Sequence, residues 1–356
     1  MILCVQPIAQ EVNLMSDVTI YTLAKELNMT PSMISRAFNP NGRISDDKRR
    51  VILETAKKYG YTPNKFASRL SMKTVRIGVL INSRFDVNTE KMISGVKNAY
   101  EKLKDYKIQY DITVVNSGEK KPQDYNNTLK KYRNFDGVIL SGMSSEKYTG
   151  IINEFYSYNP KVVQVQAINK SADYLFASKH NDETASYLAA EFLCNCLGKS
   201  ERKNILLFTG DRESVLHKDS ELNFKAACGT MGLDILDSID MKDDEEYFEK
   251  IISEIFIKYA DKTDGIYITS GLSKPLCNYI YENKIKLPLV CFDTHKDIKL
   301  FMEKGVISAT IAQNVEHQME SAFESLVMHL IRGDKYPKCI YTDVQLVLKS
   351  NIHQYR

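Results

Sequence analysis

Long apolar runs are missing from this chain. No stretch approaches the roughly eighteen consecutive apolar residues that a membrane-spanning helix needs. Residues 1–16 also lack the basic start and apolar run of a signal peptide. They read as an N-terminal extension, or as an artefact of start-site choice with Met15 ahead of the first module, and a cytoplasmic location is expected. Paired cysteines are missing too. The seven are odd in number, none forms Cys-x-x-Cys, and Cys228 and Cys291 sit inside apolar runs, the pattern of buried free thiols in a reducing compartment. Cys194-x-Cys196 is half a metal site at best, and the six histidines show no His-Glu-x-x-His spacing, so no metal and no other cofactor is expected. G-x-G-x-x-G, G-x-x-x-x-G-K-[ST] and G-x-S-x-G are all absent, which argues against an enzyme. What is present is a chain of 356 residues, 43% hydrophobic with both charge signs mixed. That is enough for a small module plus one large or two medium globular domains.

Residues 19–39 read as two short helices and a tight turn. Ile20, Leu23, Ala24 and Leu27 fall at i, i+3, i+4, i+7, one apolar stripe. Asn28 and Met29 leave the helix, Thr30 caps the next, and Pro31 takes its first position, where a missing N–H costs nothing. Ile34 and Phe38 then point inward, leaving Pro31, Ser32, Ser35 and Arg36 on the opposite face. Such a face fits a DNA major groove, although the spacing by itself also suits an ordinary helical hairpin. A third helix follows. Ser45 with Asp46 and Asp47 is its start, Ile52, Ala56 and Tyr59 its buried side, and Gly60 its C-cap. Tyr61-Thr-Pro63-Asn64 breaks the pattern, and Lys65 to Met72 offers one or two more turns, too few to be stable alone. Between Asp17 and Thr74 stand eleven Lys and Arg against five Asp and Glu, a formal +6, while the whole chain carries +3. Positive charge is thus concentrated at the N-terminus, as phosphate binding requires, although Lys48-Arg-Arg50 alone reads as a solvated face.

This module resembles the lactose/galactose repressor (LacI-type) family. Val18-Thr-Ile-Tyr21, Ile34-Ser-Arg36, Asn39, Tyr61-Thr-Pro63-Asn64, Ala67 and Leu70 match the family signature in order and spacing. The resemblance implies base reading by Pro31, Ser32 and Arg36, and phosphate contacts from Tyr21, Ser35, Asn39 and Asn64. It places Ala67 and Leu70 in the minor groove, with Leu70 as a kinking wedge. Thr19 and Thr30, at the two helix starts, complete the implied DNA-binding set.

From Val75 onward strands alternate with helices. Arg76–Ile81, Tyr110–Val115, Gly137–Leu140 and Val162–Val165 form one group of apolar runs, with a helix from about Glu90 to Leu103 after the first. Ile205–Phe208, Gly265–Ile268, Leu289–Phe292 and Ala309–Ile311 form a second, and Tyr341–Val347 closes as a final strand. The rhythm predicts parallel sheets covered on both faces, in two lobes, with ligand beyond the carboxyl ends of the strands. This part resembles the effector domain of the same family and the related periplasmic sugar-binding proteins. The expected fold is therefore α/β: a small all-α helix-turn-helix domain plus a two-lobed periplasmic-binding-protein-like (type I) domain. Boundaries are expected at 1–16 for the extension, 17–64 for the DNA-binding domain, 65–74 for a hinge helix and 75–356 for effector binding and dimerisation.

Asp293 and Gln313 look like the family's second-lobe sugar contacts, an acid and an amide leaving consecutive strands, a reading favoured over loop capping at strand ends. After Thr209-Gly-Asp211 the family's arginine is replaced by His217 or Lys218, and a lysine cannot reproduce a planar bidentate clamp. In the first lobe Arg84, Phe85 and Asp86 follow strand one, with Phe85 a stacking surface, and Gln166 replaces an acid after strand four. Asp182 opens the next helix and is either a ligand contact or that helix's cap. Asp243-Asp-Glu-Glu246 reads as a solvated helix start.

The resemblance implies a homodimeric, ligand-responsive repressor on double-stranded operator DNA, serving sugar or polyol uptake or catabolism. Effector between the lobes would alter folding of the hinge helix. Without a leucine heptad after Val347, no tetramer-forming tail is expected. The alternatives are a corepressor-dependent regulator sensing a non-sugar metabolite, and a solute-binding receptor of a transporter.

Overall fold

In the computed structural model, which describes residues 18–38, 42–61, 73–83, 86–115, 122–159 and 161–355, the first apolar stripe forms helix α1 (Ile20–Glu26). Thr19 and Thr22 cap its start reciprocally, each side chain bonded to the other's backbone N–H. Asn28, at φ +50°, turns the chain. Thr30 Oγ1 then accepts from Met33 N at 3.3 Å and α2 runs Pro31–Phe38. Helix α3 (Asp46–Lys58) has two acids in its first turn and two lysines in its last, both favourable to its dipole. Leu23, Ile34 and Ile52 are fully buried where the three helices meet, each contributing roughly 1.5–3 kcal/mol over an exposed position. Phe38 is only half-buried and packs edge-on against Tyr61; Ala37 takes the inner position beside Ile34. Arg49 departs from the solvated-face reading of its basic run. Its guanidinium donates to Ala37 O at 2.7 Å and Gly42 O at 2.8 Å, while Lys48 and Arg50 are exposed.

The chain divides between Lys73 and Thr74 into two compact units. The second holds two six-stranded sheets. In the first lobe the order is β11-β5-β4-β3-β1-β2, all parallel, from β1 (Val75–Asn82), β2 (Ile108–Val115), β3 (Gly137–Ser141), β4 (Val162–Val165), β5 (Phe176–His180) and β11 (Cys339–Thr342). In the second lobe it is β12-β10-β9-β8-β6-β7, from β6 (Asn204–Thr209), β7 (Asp234–Asp240), β8 (Gly265–Ile268), β9 (Leu289–Phe292), β10 (Ala309–Ala312) and β12 (Gln345–Val347). Among the described strands only β12 runs antiparallel, against β10. Buried apolar clusters lie on both faces of each sheet, as parallel sheets require.

Helices α4 (Asp86–Lys102), α5 (Pro122–Lys130) and α6 (Thr149–Tyr158) belong to the first lobe. Helices α7 (Asp182–Leu197), α8 (Val215–Met231), α9 (Glu245–Tyr259), α10 (Lys274–Glu282) and α11 (Lys296–Glu303) belong to the second. Helix α12 (Val315–Arg332) follows β10 of the second lobe yet packs on α4 and the first sheet.

Two strands, β5 and β7, lie beyond those read from the sequence. The single final strand expected over Tyr341–Val347 is instead two: β11 joins the first sheet and β12 the second. The alternation of apolar residues there is continuous, but the chain crosses between lobes at Asp343 and Val344. It also crosses after His180 and after Gln313, so three strands of backbone link the lobes.

Candidate functional site

The carboxyl ends of both sheets face one cleft within this second unit, lined by residues that follow β1, β3, β4, β6, β8, β9 and β10. Its cavity is about 210 Å³. Asn82, Gly142, Ser144, Lys147 and Gln166 line the first-lobe wall, and Asp211, His217, Asp243, Ser270, Asp293 and Gln313 the second.

On the second lobe, Asp293 leaves β9 and Gln313 leaves β10, neighbouring parallel strands. Gln313 Nε2 donates to Asp293 Oδ1 at 2.6 Å, and Thr310 Oγ1 holds the Asp293 carbonyl at 2.7 Å. Gln318 Nε2 in turn donates to Gln313 O at 2.7 Å, fixing the turn into α12. Across the sheet, His217 Nε2 on α8 stands 3.0 Å from Asp243 Oδ2, and Ser270 Oγ donates to Asp243 Oδ1 at 2.9 Å. Burial alone would raise the Asp243 pKa, but His217 and Ser270 outweigh it and hold the carboxyl below its ordinary range. His217 Nδ1 is buried without a protein partner. On the first lobe, Tyr125 donates its hydroxyl to Asn82 Oδ1 at 2.9 Å while Asn82 Nδ2 donates to Gly142 O at 2.7 Å. Ser141 Oγ donates to Gln166 Oε1 at 3.1 Å.

Gln166, Asp243 and Asp293 adopt left-handed backbone, with φ of +70°, +48° and +72°. Side chains rarely occupy that region without some cost, and such strain clusters at binding sites. The cleft offers paired amides, hydroxyls and carboxylates, which suits a ligand with many hydroxyl groups. Among the described residues its carboxylates, Asp211, Glu213, Asp243 and Asp293, outnumber the Lys147 ammonium, which disfavours an anionic ligand.

Gln166, His217, Asp293 and Gln313 are thus brought together. Lys218 is not: it is exposed and outside the cleft lining, because one residue further along α8 rotates the side chain by about 100°. Asp182 lies outside the cleft lining and is not the helix cap. Asn181 caps α7, accepting from Thr184 N at 3.0 Å, and Asp182 is buried beside Lys179 with His180 Nε2 2.9 Å away. Burial pushes its pKa up, but His180 and Lys179 more than compensate. Arg84 and Phe85 lie outside the described residues, as does the side chain of Asp86, whose backbone opens α4. Asp243 corrects the reading of its acidic run as a solvated start. Asp244 alone caps α9, accepting from Tyr247 N at 2.9 Å, and Asp243 turns inward. Only its pairing with a histidine 26 positions earlier gives it a role, and local composition carries no sign of that. Asn82, Ser144, Lys147, Asp211 and Ser270 were likewise not singled out.

In the three-helix unit Tyr21, Ser32, Ser35 and Arg36 are exposed and Pro31 half-buried, while the Thr19 and Thr30 hydroxyls serve as caps. Asn39, Asn64, Ala67 and Leu70 lie outside the described residues, as do residues 1–16 and the hinge segment Lys65–Met72. Among the described residues no cluster of His, Cys, Asp and Glu could hold a metal, and no helix is long and apolar enough to cross a membrane.

Two parallel α/β lobes, linked by three crossings and closing a polar cleft at their strand ends, define a two-lobed ligand-binding domain of the type that clamps small solutes. Residues 77–335 match the family described as periplasmic binding protein domain, and the chain belongs to that family. Catabolite control protein A of Priestia megaterium is 28% identical over 259 residues, covering 71% of this chain and 74% of that protein. A structure described as a LacI transcriptional regulator from Bacteroides fragilis superimposes with a TM-score of 0.69 at 17% identity, over 80% of this chain and all of the other (100%). A glucose-galactose binding protein from Geobacillus stearothermophilus gives a TM-score of 0.68 at 17% identity, over 79% of this chain and 99% of that one. The similarity to catabolite control protein A agrees with the LacI-type resemblance of the chain, and the solved structures share the two-lobed fold.

Proposed function

We propose that this protein is a ligand-responsive transcriptional regulator, a cytoplasmic homodimer that represses genes for uptake or catabolism of a sugar or polyol. One observation carries the reading. A cleft lined by amides, hydroxyls and acids occurs in the same chain as a three-helix unit whose exposed face carries Ser32, Ser35, Arg36 and Tyr21. A solute receptor has no use for the second feature, and a lone DNA-binding module has none for the first. The similarity to catabolite control protein A supports a regulator, and the sugar-binding neighbours share the fold of the effector domain.

In this reading Pro31, Ser32 and Arg36 meet base edges, and Thr19, Tyr21, Thr30, Ser35, Asn39 and Asn64 meet the backbone. Ala67 and Leu70 enter the minor groove from a hinge over Lys65–Met72. The effector sits between Gln166 on one lobe and His217, Asp293 and Gln313 on the other. It needs only different affinities for two lobe arrangements to bias the hinge, and so DNA affinity.

The test is twofold. Purified protein is challenged with genomic fragments against random duplex, with and without sugars. Enrichment of a twofold-symmetric site whose occupancy a sugar changes supports the reading. A monomer with no fragment preference under any condition refutes it.

A further inference from the structure

The cleft does not end at Asp293. A second cavity, of about 330 Å³, shares Asn88, Gly271 and Asp293 with the first. Both lobes bound it as well: Val87 and Lys91 come from α4, and Leu272, His295 and Asp297 from the second lobe. Gly271 makes the shared wall thin. A Cβ there would stand 3.7 Å from Asp293 Oδ2, so that oxygen faces the partition while Oδ1 is held by Gln313. Asp293 therefore has acceptor capacity at the junction of the two chambers.

The far chamber has its own hydroxyl-recognising atom. The His295 ring is hydrogen-bonded to the Gly271 backbone, and its Nε2 is buried with no partner. Burial holds the pKa of this histidine below its ordinary value, so the ring is neutral near pH 7 and one nitrogen keeps a lone pair. Of the two lysines in its lining, Lys91 is engaged, donating to Thr294 O at 3.2 Å, and the carboxylates Glu245, Asp293 and Asp297 outnumber the exposed Lys274, which disfavours an anion. The near chamber is smaller than the roughly 300–1,000 Å³ of pockets for drug-sized molecules, a fit for one sugar ring.

We infer that the effector is a two-unit carbohydrate, a disaccharide or a glycoside of that length, with one ring in the near chamber, the other beside His295, and Asp293 bonded to both. The inference rests on the proposal that the cleft is the effector site.

Calorimetric titration of the full chain tests it, with glucose, galactose, arabinose and ribose against maltose, cellobiose, lactose, melibiose and trehalose. One disaccharide is expected to bind at least about tenfold tighter than its component monosaccharides. Val87→Trp, which fills the far chamber from an exposed position, and His295→Ala should each weaken that disaccharide about tenfold and leave monosaccharide binding within about twofold. His295 precedes α11 without a side-chain capping bond, so alanine removes no cap, and thermal melts check that both variants fold. A monosaccharide binding as tightly as any disaccharide, or variants without effect on the disaccharide, overturns the two-unit effector and leaves the near site standing. No binding by any sugar, or binding undiminished in Asp293→Asn, overturns the cleft as the carbohydrate site and the inference with it.

Discussion

Gln313 and Asp293, twenty residues apart, are locked together by a 2.6 Å hydrogen bond from the amide to Asp293 Oδ1. The bond joins the ends of neighbouring strands and orients a carboxylate whose backbone sits at φ +72°. The buried acid thus sits at a strained position, with one oxygen held by Gln313 and the other turned toward Gly271.

Replacing Asp293 separates those roles. Asparagine tolerates left-handed backbone, so Asp293→Asn should keep the parent melting temperature while losing the charged acceptor. A hydrogen bond to a charged group is worth about 1.5–3 kcal/mol, so sugar affinity should fall roughly ten- to a hundredfold by calorimetry. Asp293→Ala should add a stability loss of about 1–2 kcal/mol from the positive φ. In both, DNA binding without sugar should match the parent while the response to sugar disappears. An intact response would move the pocket elsewhere.

Gly210 offers a test elsewhere on the second-lobe wall. A Cβ there would lie 2.4 Å from both Asp243 Oδ1 and His217 Nε2, so Gly210→Ala must push the pair apart. A buried partner left unsatisfied costs about 1–3 kcal/mol, and the variant should lose that in urea unfolding along with sugar affinity. Gly229→Ala is the control. It is an exposed position of helix α8 with nothing near its Cβ position, and should be neutral or stabilising by up to about 1 kcal/mol.

Much of this site was legible in the sequence because strand ends are. Short apolar runs locate the strands, and the polar residue after each run faces the cleft wherever the sheet is parallel, as Gln166, Asp293 and Gln313 do. What was hidden depends on distance or rotation. Asp243 looks like one more acid in a helix start until His217 is brought against it. Lys218 and His217 are adjacent in the chain but a hundred degrees apart on the helix, which periodicity cannot resolve without knowing the buried face. The last strand divides because the lobes, not the residues at Asp343 and Val344, decide where the backbone crosses. Arg49 belongs with these. A basic run announces solvent, while the open carbonyls of Ala37 and Gly42 are supplied by the fold.

Glu221 should set part of the acid stability of the second lobe. Burial would raise its carboxyl, but hydrogen bonds from Arg212, Lys225 and Ser238 prevail and bring it from 4.5 to about 2. The folded pKa is depressed, so its stabilisation is complete above pH 4.5 and fades as pH falls from there toward 2. Arg212 and Lys225 are about two-fifths exposed (41% and 44%), which screens the pairs. Glu221→Gln should then cost about 1–2 kcal/mol at pH 7. Chemical denaturation at pH 7 and pH 3 should show the gap from the parent narrowing at the lower pH. An equal gap at both would assign the loss to packing.

Two arginines of the N-terminal unit should fail in different ways. Arg36 is exposed on α2, and its removal leaves the buried cluster of Leu23, Ile34 and Ile52 untouched. Arg36→Ala should melt with the parent, yet lose about 1–3 kcal/mol of discrimination between operator and mismatched sites, the worth of a good base contact. Its non-specific binding should keep most of its salt dependence, because that slope counts phosphate contacts. Arg49 instead closes the end of α2 onto the following loop through Ala37 O and Gly42 O. Arg49→Ala should destabilise the three-helix unit by about 1–3 kcal/mol. Any loss of DNA affinity should then recover in stabilising osmolyte, which refolds the unit without restoring a contact. If Arg36→Ala were instead the variant that osmolyte rescues, the exposed face of α2 would be part of the unit's architecture, and base reading would have to lie elsewhere.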